Sequence, residues 1–236
     1  MVKNYLVSAV RPIRNGWMDA DSTQLYKDYR EMYEISLASF RRFVKEPFES
    51  VLWEDPVDDN ESYTKANWKE IKDLWHREPC NIFWAGADTL MLKPTGLFSD
   101  RFQEYRLFNH TDPKEINGKP VYCYNNDLQY YPHTMSEDVW KYGDDLWAQC
   151  ETHPDRNWGF DQLRNNAMFW SQKVPDPHHP EMAYQAMNMR NLDFKVIAWH
   201  DQWNGITFDQ AHILHFHASR GSHAVIDLMK KLSDRT

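Results

Sequence analysis

Residues 81–94 constrain the fold of this chain more than any other segment. Their sequence, NIFWAGADTLMLKP, places an apolar run at 82–85, a small Gly-Ala-Asp corner at 86–88 and a second apolar run before the final proline. This pattern predicts a buried strand that delivers one carboxylate, Asp88, to the carboxyl edge of a sheet. Ligands bind at that edge in open α/β sheets. A carboxylate flanked by such small residues suits a hard divalent cation bound to phosphate oxygens.

Strands and helices are predicted to alternate along the first half of the chain. Hydrophobic spacing predicts strands at 4–10, 49–53 and 81–92, with helices at 22–44 and 64–77. The alternation implies right-handed crossovers and a mostly parallel sheet flanked by helices, a Rossmann-like α/β fold. The second half is less regular, with predicted strands at 121–124, 194–199 and 212–216 and helices at 136–150, 160–170 and 222–232. The sequence has no internal repeat and no low-complexity linker, so we expect a single domain over 1–236.

Composition excludes several classes of protein. The formal net charge is −8 and no Lys/Arg block occurs, which argues against nucleic-acid binding. Three cysteines without a CxxC pair support neither a zinc knuckle nor a disulfide framework and indicate a reducing compartment. The apolar run at 5–10 is too short for a signal peptide or a membrane span. We therefore expect a soluble cytoplasmic protein.

The corner at 86–88 and the apolar residues after it resemble the metal-binding segment of GT-A-fold glycosyltransferases, commonly written L-D-A-D-T-L. The resemblance implies that Asp88 binds a manganese or magnesium ion that bridges the diphosphate of a nucleotide sugar, with Ala87 beside it in the donor site. The first acidic residue of the family pattern is replaced here by Gly86. The resemblance therefore implies either a weakened metal site or a ligand supplied from elsewhere in the chain.

A candidate for that ligand lies in the segment HILHFHASRG at 212–221. It resembles the H-x-x-G-x-x-K segment of glycogenin-like glycosyltransferases, although its spacing departs from that pattern. The resemblance implies that His215 completes the metal shell, with His217 as its rival. Arg220 would then bind the diphosphate in place of the lysine, and Gly221 would let the backbone approach it.

The histidines of this region also leave a zinc hydrolase open as an alternative. His215, His217 and His223 are the three residues that an all-histidine zinc site would use. Neither H-x-H-x-D-H nor H-E-x-x-H occurs in the sequence, which argues against the common hydrolytic zinc motifs.

Further candidates are expected around the reacting sugar. Asp161 and Gln162 resemble the Asp-Gln pair that opens a helix in many GT-A enzymes, which implies contact with sugar hydroxyls and a place near the anomeric carbon. The alternative is that Asp161 only caps that helix.

Arg11, just after the first predicted strand, lies where GT-A proteins meet the nucleotide; a surface salt bridge is the alternative.

The segment YNND at 124–127 is interpreted as the end of the strand predicted at 121–124. The carboxamides of Asn125 and Asn126 are candidates for reading sugar hydroxyls, and Asp127 is a candidate general base. A plain Asn/Asp turn is the competing interpretation.

Together, the motifs predict a metal-dependent glycosyltransferase that moves a sugar from a nucleotide-diphospho-sugar to a hydroxyl group of a glycan or protein. The glycogenin-like features favour retention of configuration. We expect the nucleotide-binding half at about 1–95 and the acceptor-side half at about 96–236. A non-catalytic GT-A relative that binds a sugar, nucleotide or protein partner is the main alternative. A nucleotidyltransferase is disfavoured because the segment SAVRP at 8–12 has no glycine loop.

Overall fold

The computed structural model describes residues 2–12, 22–57, 63–98, 105–107, 114–116, 119–121, 127–151, 168, 196–198, 212–216 and 223–235. The elements in chain order are β1 (Lys3–Ala9), α1 (Ser22–Phe43), β2 (Glu49–Trp53), α2 (Tyr63–Arg77), β3 (Cys80–Ala85), β4 (Thr89–Met91), β5 (Arg106–Leu107), β6 (Lys114–Ile116), β7 (Lys119–Val121), β8 (Leu128–Tyr131), α3 (Glu137–Glu151), β9 (Val196–Ala198), β10 (Ile213–His215) and α4 (His223–Ser233). None of the helices among these residues is both long and apolar enough to cross a membrane.

The main sheet has five strands in the order β2-β1-β3-β8-β5. Strand β1 pairs in parallel with both β2 and β3, while β8 is antiparallel to β3 and to β5. Four of the five strands therefore point the same way, and β8 alone among them is reversed. This confirms the predicted mostly parallel α/β sheet, with the three strands of the first half as neighbours.

Strand β1 lies between β2 and β3 and is buried on both faces from Tyr5 to Ala9, which explains why this part of it is mostly apolar. Tyr5 and Val7 belong to a core that includes residues of α2 and α3. Leu6 and Val10 belong to a second core that includes residues of α1. Because successive side chains of a strand point to opposite faces, the sheet separates helix α1 from helices α2 and α3. The predicted flanking of the sheet by helices is confirmed.

A smaller sheet begins where the predicted strand 81–92 breaks. After β3 the chain turns at residues 86–88, and β4 joins β10 and β9 instead of continuing the main sheet. Strand β4 is antiparallel to β10, which is parallel to β9. Leu90 of β4 and Leu214 of β10 share a third core with Met32 of α1 and Met229 of α4. The single strand predicted over 81–92 is therefore two strands in two sheets.

Other predicted elements differ in detail. Strand β7 (Lys119–Val121) begins before the predicted 121–124 and pairs with β6, while residues 122–126 lie outside the described residues. Strand β8 was not predicted. Of the helix predicted at 160–170, only Met168 is described, and it is helical. The division into nucleotide and acceptor halves stays a prediction.

Candidate functional site

Three separate segments bring Asp88, Asp127 and His215 together at the carboxyl end of β3. Asp88 lies in the corner that directly follows that strand. Because β8 is antiparallel to β3 and Leu128 pairs with Ala85, Asp127 lies at the same edge of the sheet. His215 reaches it from β10, where it pairs with Thr89 of β4. The strand order alone accounts for this convergence.

The imidazole of His215 lies between the two carboxylates. Its Nε2 atom is 3.1 Å from Oδ2 of Asp127 and 3.6 Å from Oδ1 of Asp88. The His215 side chain is 2% exposed, that of Asp88 12% and that of Asp127 35%. The histidine therefore forms the closed back of the cluster, and Asp127 is its most accessible member.

The two carboxylates control the ionisation of His215. Burial on its own lowers the pKa of the imidazole, because a charge is poorly solvated in the protein interior. The negative charges of Asp127 and Asp88, together with the hydrogen bond to Asp127, act in the other direction and raise the pKa above its usual value. A metal ion bound by His215 would have to displace this proton, because only the neutral imidazole is a ligand.

Backbone hydrogen bonds fix the corner that carries Asp88. The amide of Gly86 donates to the carbonyl oxygen of Asp127 at 2.8 Å, and the amide of Phe216 donates to the carbonyl oxygen of Asp88 at 2.8 Å. The hydroxyl of Thr89 donates to the Gly86 carbonyl at 2.7 Å. The corner is therefore tied to both β8 and β10, and the carboxylate of Asp88 is held on a rigid frame.

A side chain at position 86 would make a tight contact with the carboxylate of Asp88 and would pack against Asp127. A Cβ atom at this position would lie 2.9 Å from Oδ1 of Asp88, closer than carbon and oxygen atoms ordinarily approach. It would also lie 3.4 Å from Cβ and 3.5 Å from Oδ1 of Asp127. The side chain of Asp127 therefore borders the space that a side chain at position 86 would enter.

Arg11 is buried at the carboxyl end of β1 and is held by groups of the protein itself. Its Nη1 donates to the carbonyl oxygen of Asp55 at 2.7 Å, and its Nε donates to Oδ1 of Asn67 at 3.2 Å. Its Nη2 forms an ion pair with Glu70 of α2. The salt bridge of the alternative interpretation is therefore present, but it does not lie at the surface, because Arg11 is only 5% exposed. A contact with a nucleotide stays a prediction.

Tyr63 is a residue of this edge that sequence reasoning missed. Its hydroxyl donates to the carbonyl oxygen of Ala9 at 3.0 Å. The pKa of Tyr63 is raised to about 12, chiefly because the hydroxyl is enclosed, while Asp127 and Asp88 add to the rise through their negative charge. The residue as a whole is nevertheless 40% exposed. The hydroxyl group is therefore enclosed, while the rest of the side chain is open to solvent. A tyrosine in the first turn of a helix gives no sequence signal that it lies near Asp88 and Asp127.

The remaining candidates fall into two groups. Outside the described residues lie Asp161, Gln162, Asn125, Asn126, Arg220, Gly221 and His217, and their roles stay predictions. Ala87 is described and buried beside Asp88. His223, a ligand in the zinc alternative, has its Nδ1 3.6 Å from Oδ1 of Asp28 on α1.

The cluster suits a cation that is completed by a ligand. Among the described residues, no three His, Cys, Asp or Glu side chains are arranged to hold a metal ion by themselves. Magnesium commonly binds through one or two carboxylates and takes its other ligands from water and phosphate, and an imidazole favours manganese. Two carboxylates and an imidazole provide this donor chemistry. The residues therefore fit an ion that arrives with a diphosphate.

Comparison with known proteins gives remote likenesses only. No protein-family model matches the sequence, and no curated protein matches it significantly. One similar solved structure is a glycosyltransferase involved in the glycosylation of the major capsid of PBCV-1, at 10% identity and a TM-score of 0.44, covering 97% of this chain and 99% of that one. Another is the apo-form glycosyltransferase GlyE of Streptococcus pneumoniae TIGR4, at 13% identity and a TM-score of 0.49, covering 99% of this chain and 60% of that one. Both are glycosyltransferases, but at these TM-scores neither likeness carries an argument about function.

Proposed function

We propose that this protein is a glycosyltransferase that moves a sugar from a nucleotide-diphospho-sugar to a hydroxyl group of a glycan or protein. The observation that supports the proposal is the cluster of Asp88, Asp127 and His215 at the carboxyl edge of the sheet. Ligands of open α/β sheets bind at this edge. The cluster also includes the one segment that resembles the metal-binding motif of GT-A glycosyltransferases.

The departing diphosphate makes the largest electrostatic demand of the proposed reaction. When the bond between the anomeric carbon and the phosphate oxygen breaks, negative charge grows on that oxygen. A bound manganese or magnesium ion would supply the positive charge that stabilises it. Asp88 and His215 are the residues that would hold the ion, and Arg220 would bind the diphosphate beside it.

The other side chains orient the two substrates. Asp161 and Gln162 would bind the donor sugar near its anomeric carbon, while Asn125 and Asn126 would read its hydroxyl groups. The glycogenin-like features favour retention of configuration. Inversion would instead require a carboxylate that takes the proton from the acceptor hydroxyl, and Asp127 and Asp161 are the candidates for that role.

A binding-only relative is the second candidate function, and one observation favours it. Gly86 provides no carboxylate at the position where the family pattern has its first acidic residue. A protein of this kind would bind the nucleotide sugar without releasing a nucleoside diphosphate.

A thermal-shift screen of nucleotide sugars, with and without Mn²⁺, tests the proposal. A ligand at about 100 times its Kd stabilises the folded state by about 2.7 kcal/mol, which corresponds to a rise in Tm of roughly 5–10 °C for a chain of this size. We expect such a rise for at least one nucleotide sugar with Mn²⁺ and a much smaller one without it. No metal-dependent rise with any donor would contradict the proposal. Release of nucleoside diphosphate from the donor that binds distinguishes the enzyme from the binding-only relative.

A further inference from the structure

We propose that Asp127 supplies the carboxylate that the motif lacks at Gly86, so that the first acidic group of the site has moved from β3 to the amino end of β8. This inference rests on the proposed function, because it assigns Asp127 to the cation and diphosphate of the donor. It makes residues 86 and 127 a coupled pair, because carboxylates at both positions would place a third negative charge beside Asp88.

The two residues lie side by side across the junction of β3 and β8. The Gly86 amide donates to the Asp127 carbonyl at 2.8 Å, which continues the ladder in which Ala85 pairs with Leu128. A Cβ atom at position 86 would lie 3.4 Å from Cβ of Asp127 and 3.5 Å from its Oδ1. The Asp127 side chain therefore borders the space into which a side chain at position 86 would extend.

Charge disfavours carboxylates at positions 86 and 127 together, whereas the tight contact of a side chain at position 86 is with Asp88. A Cβ atom at position 86 would be 2.9 Å from Oδ1 of Asp88, so the Asp88 carboxylate would have to move. A third carboxylate would also add its charge to two that already share one imidazole, and like charges in one site disfavour each other. Removal of the Asp127 carboxylate would bring the charge of the site back to two carboxylates when position 86 is acidic.

The contacts of Asp127 also argue against its role as the acceptor's base. Its Oδ2 is 3.1 Å from Nε2 of His215, and both side chains converge on the corner of Asp88. Its side chain is still 35% exposed, so an ion and a diphosphate can reach it. Asp127 is therefore a binding residue for the charged part of the donor, and proton transfer from the acceptor falls to another group.

Calorimetric titration of the full chain with Mn²⁺ and inorganic pyrophosphate tests this assignment, because the probe offers a diphosphate without a base or sugar. We compare the wild type with Asp127→Asn, Asp88→Asn and Asp145→Asn. Asp145 is an exposed carboxylate of α3 and serves as the control for loss of one charge. A charged contact contributes about 1.5–3 kcal/mol, so each of the first two variants should bind roughly 10–150-fold more weakly, and the control should bind as the wild type does.

The outcomes separate this inference from the proposed function. Loss of affinity in Asp88→Asn with no change in Asp127→Asn would overturn the assignment of Asp127 and leave the proposed function standing. A wild type that binds no Mn²⁺ with pyrophosphate would overturn both. Loss of affinity in both Asp88→Asn and Asp127→Asn would support both the assignment of Asp127 and the proposed function.

Moving the carboxylate from position 127 to position 86 provides a second, independent test. In the background of the wild type, Gly86→Asp should weaken Mn²⁺-pyrophosphate binding and lower Tm, because a third carboxylate adds its charge to those of Asp88 and Asp127. In the background of Asp127→Gly, the same substitution should instead tighten binding at least about tenfold relative to Asp127→Gly alone, because one charged contact is restored. Equal effects of Gly86→Asp on affinity and Tm in the two backgrounds would overturn the coupling.

Discussion

At the scale of single residues, Gly86 lies beside both carboxylates of the site, and a Cβ atom there would make a tight contact with Asp88. Gly86 lets the carboxylates of Asp88 and Asp127 approach the same imidazole. The sequence identifies Gly86 as a departure from the family pattern, which implies either a weakened metal site or a ligand supplied from elsewhere in the chain. It cannot reveal Asp127 as the neighbour, because the two residues are distant in the chain and meet only through the pairing of β3 with β8.

Removal of the buried imidazole should change the metal preference of the site. We expect His215→Ala to lower Mn²⁺-supported turnover by at least about tenfold and Mg²⁺-supported turnover by less, because an imidazole ligand favours manganese. Rates of nucleoside diphosphate release with each metal measure the difference. His76→Ala is the matched control, since His76 also pairs with a carboxylate, Glu137, but at the end of α2 that precedes β3. Equal losses with both metals would contradict a direct contact between His215 and the ion.

Cys80 gives a pH-dependent prediction that does not involve the site. This buried thiol begins β3, and burial raises its pKa to about 12, whereas an unfolded cysteine titrates near 8.5. Below pH 8.5 both states keep the proton, and above it the unfolded state loses the proton first. Stability therefore falls between about pH 8.5 and 12, by about 1.4 kcal/mol per pH unit.

Urea unfolding at pH 7 and pH 10 measures this effect. Between pH 7 and pH 10, the free energy of unfolding of the wild type should fall by roughly 2 kcal/mol more than that of Cys80→Ala, because only the wild type carries the buried thiol. The difference between the proteins removes the contributions of tyrosines and lysines. An identical loss in both would show that the thiol is not buried in the folded state.

At the scale of secondary structure, the pattern of side chains predicts some elements well and misses others. The helices α1 and α2 repeat their apolar residues at helical spacing, and their observed bounds lie within a residue of the prediction. Strand β8 has the sequence LQYY and is buried at all four positions, so it shows no alternation of exposed and buried residues. Asp127 was therefore assigned to the end of the preceding strand. It lies instead at the beginning of an antiparallel one, and this reversal brings it to the carboxyl end of β3.

The packing of α3 against α2 predicts an unusual effect of a glycine substitution. In an exposed helix, Gly→Ala stabilises by about 1 kcal/mol. At Gly143 of α3, a Cβ atom would lie 2.6 Å from the Trp68 ring and 2.8 Å from Sδ of Met168. We expect Gly143→Ala to destabilise the protein by about 1–3 kcal/mol, because a packed ring cannot move aside without strain. Asp145→Ala, at an exposed position of the same helix, is the control. A gain in Tm for Gly143→Ala would contradict the close contact.

At the scale of the whole molecule, the strand order carries the functional argument. The order β2-β1-β3-β8-β5 places the ends of β1, β3 and the start of β8 at one edge, where Tyr63 and Arg11 also lie. Alternating strands and helices allow the sequence to predict the parallel part of this sheet. The reversed β8 and the separate β4-β10-β9 sheet depend on contacts between distant segments, which no local pattern encodes. The fold was therefore more predictable than the composition of the site.

Calorimetry of a nucleoside diphosphate with and without Mn²⁺ tests the central claim most directly, when the wild type is compared with Asp88→Asn and with the control Asp145→Asn. The wild type and the control should bind the diphosphate at least about tenfold more tightly with Mn²⁺. Asp88→Asn should lose this gain and keep the wild-type Tm, because a carboxylate in a corner after a strand contributes little to the core. A metal-dependent gain that is unchanged in Asp88→Asn would contradict a cation-assisted nucleotide-sugar site at the carboxyl end of β3.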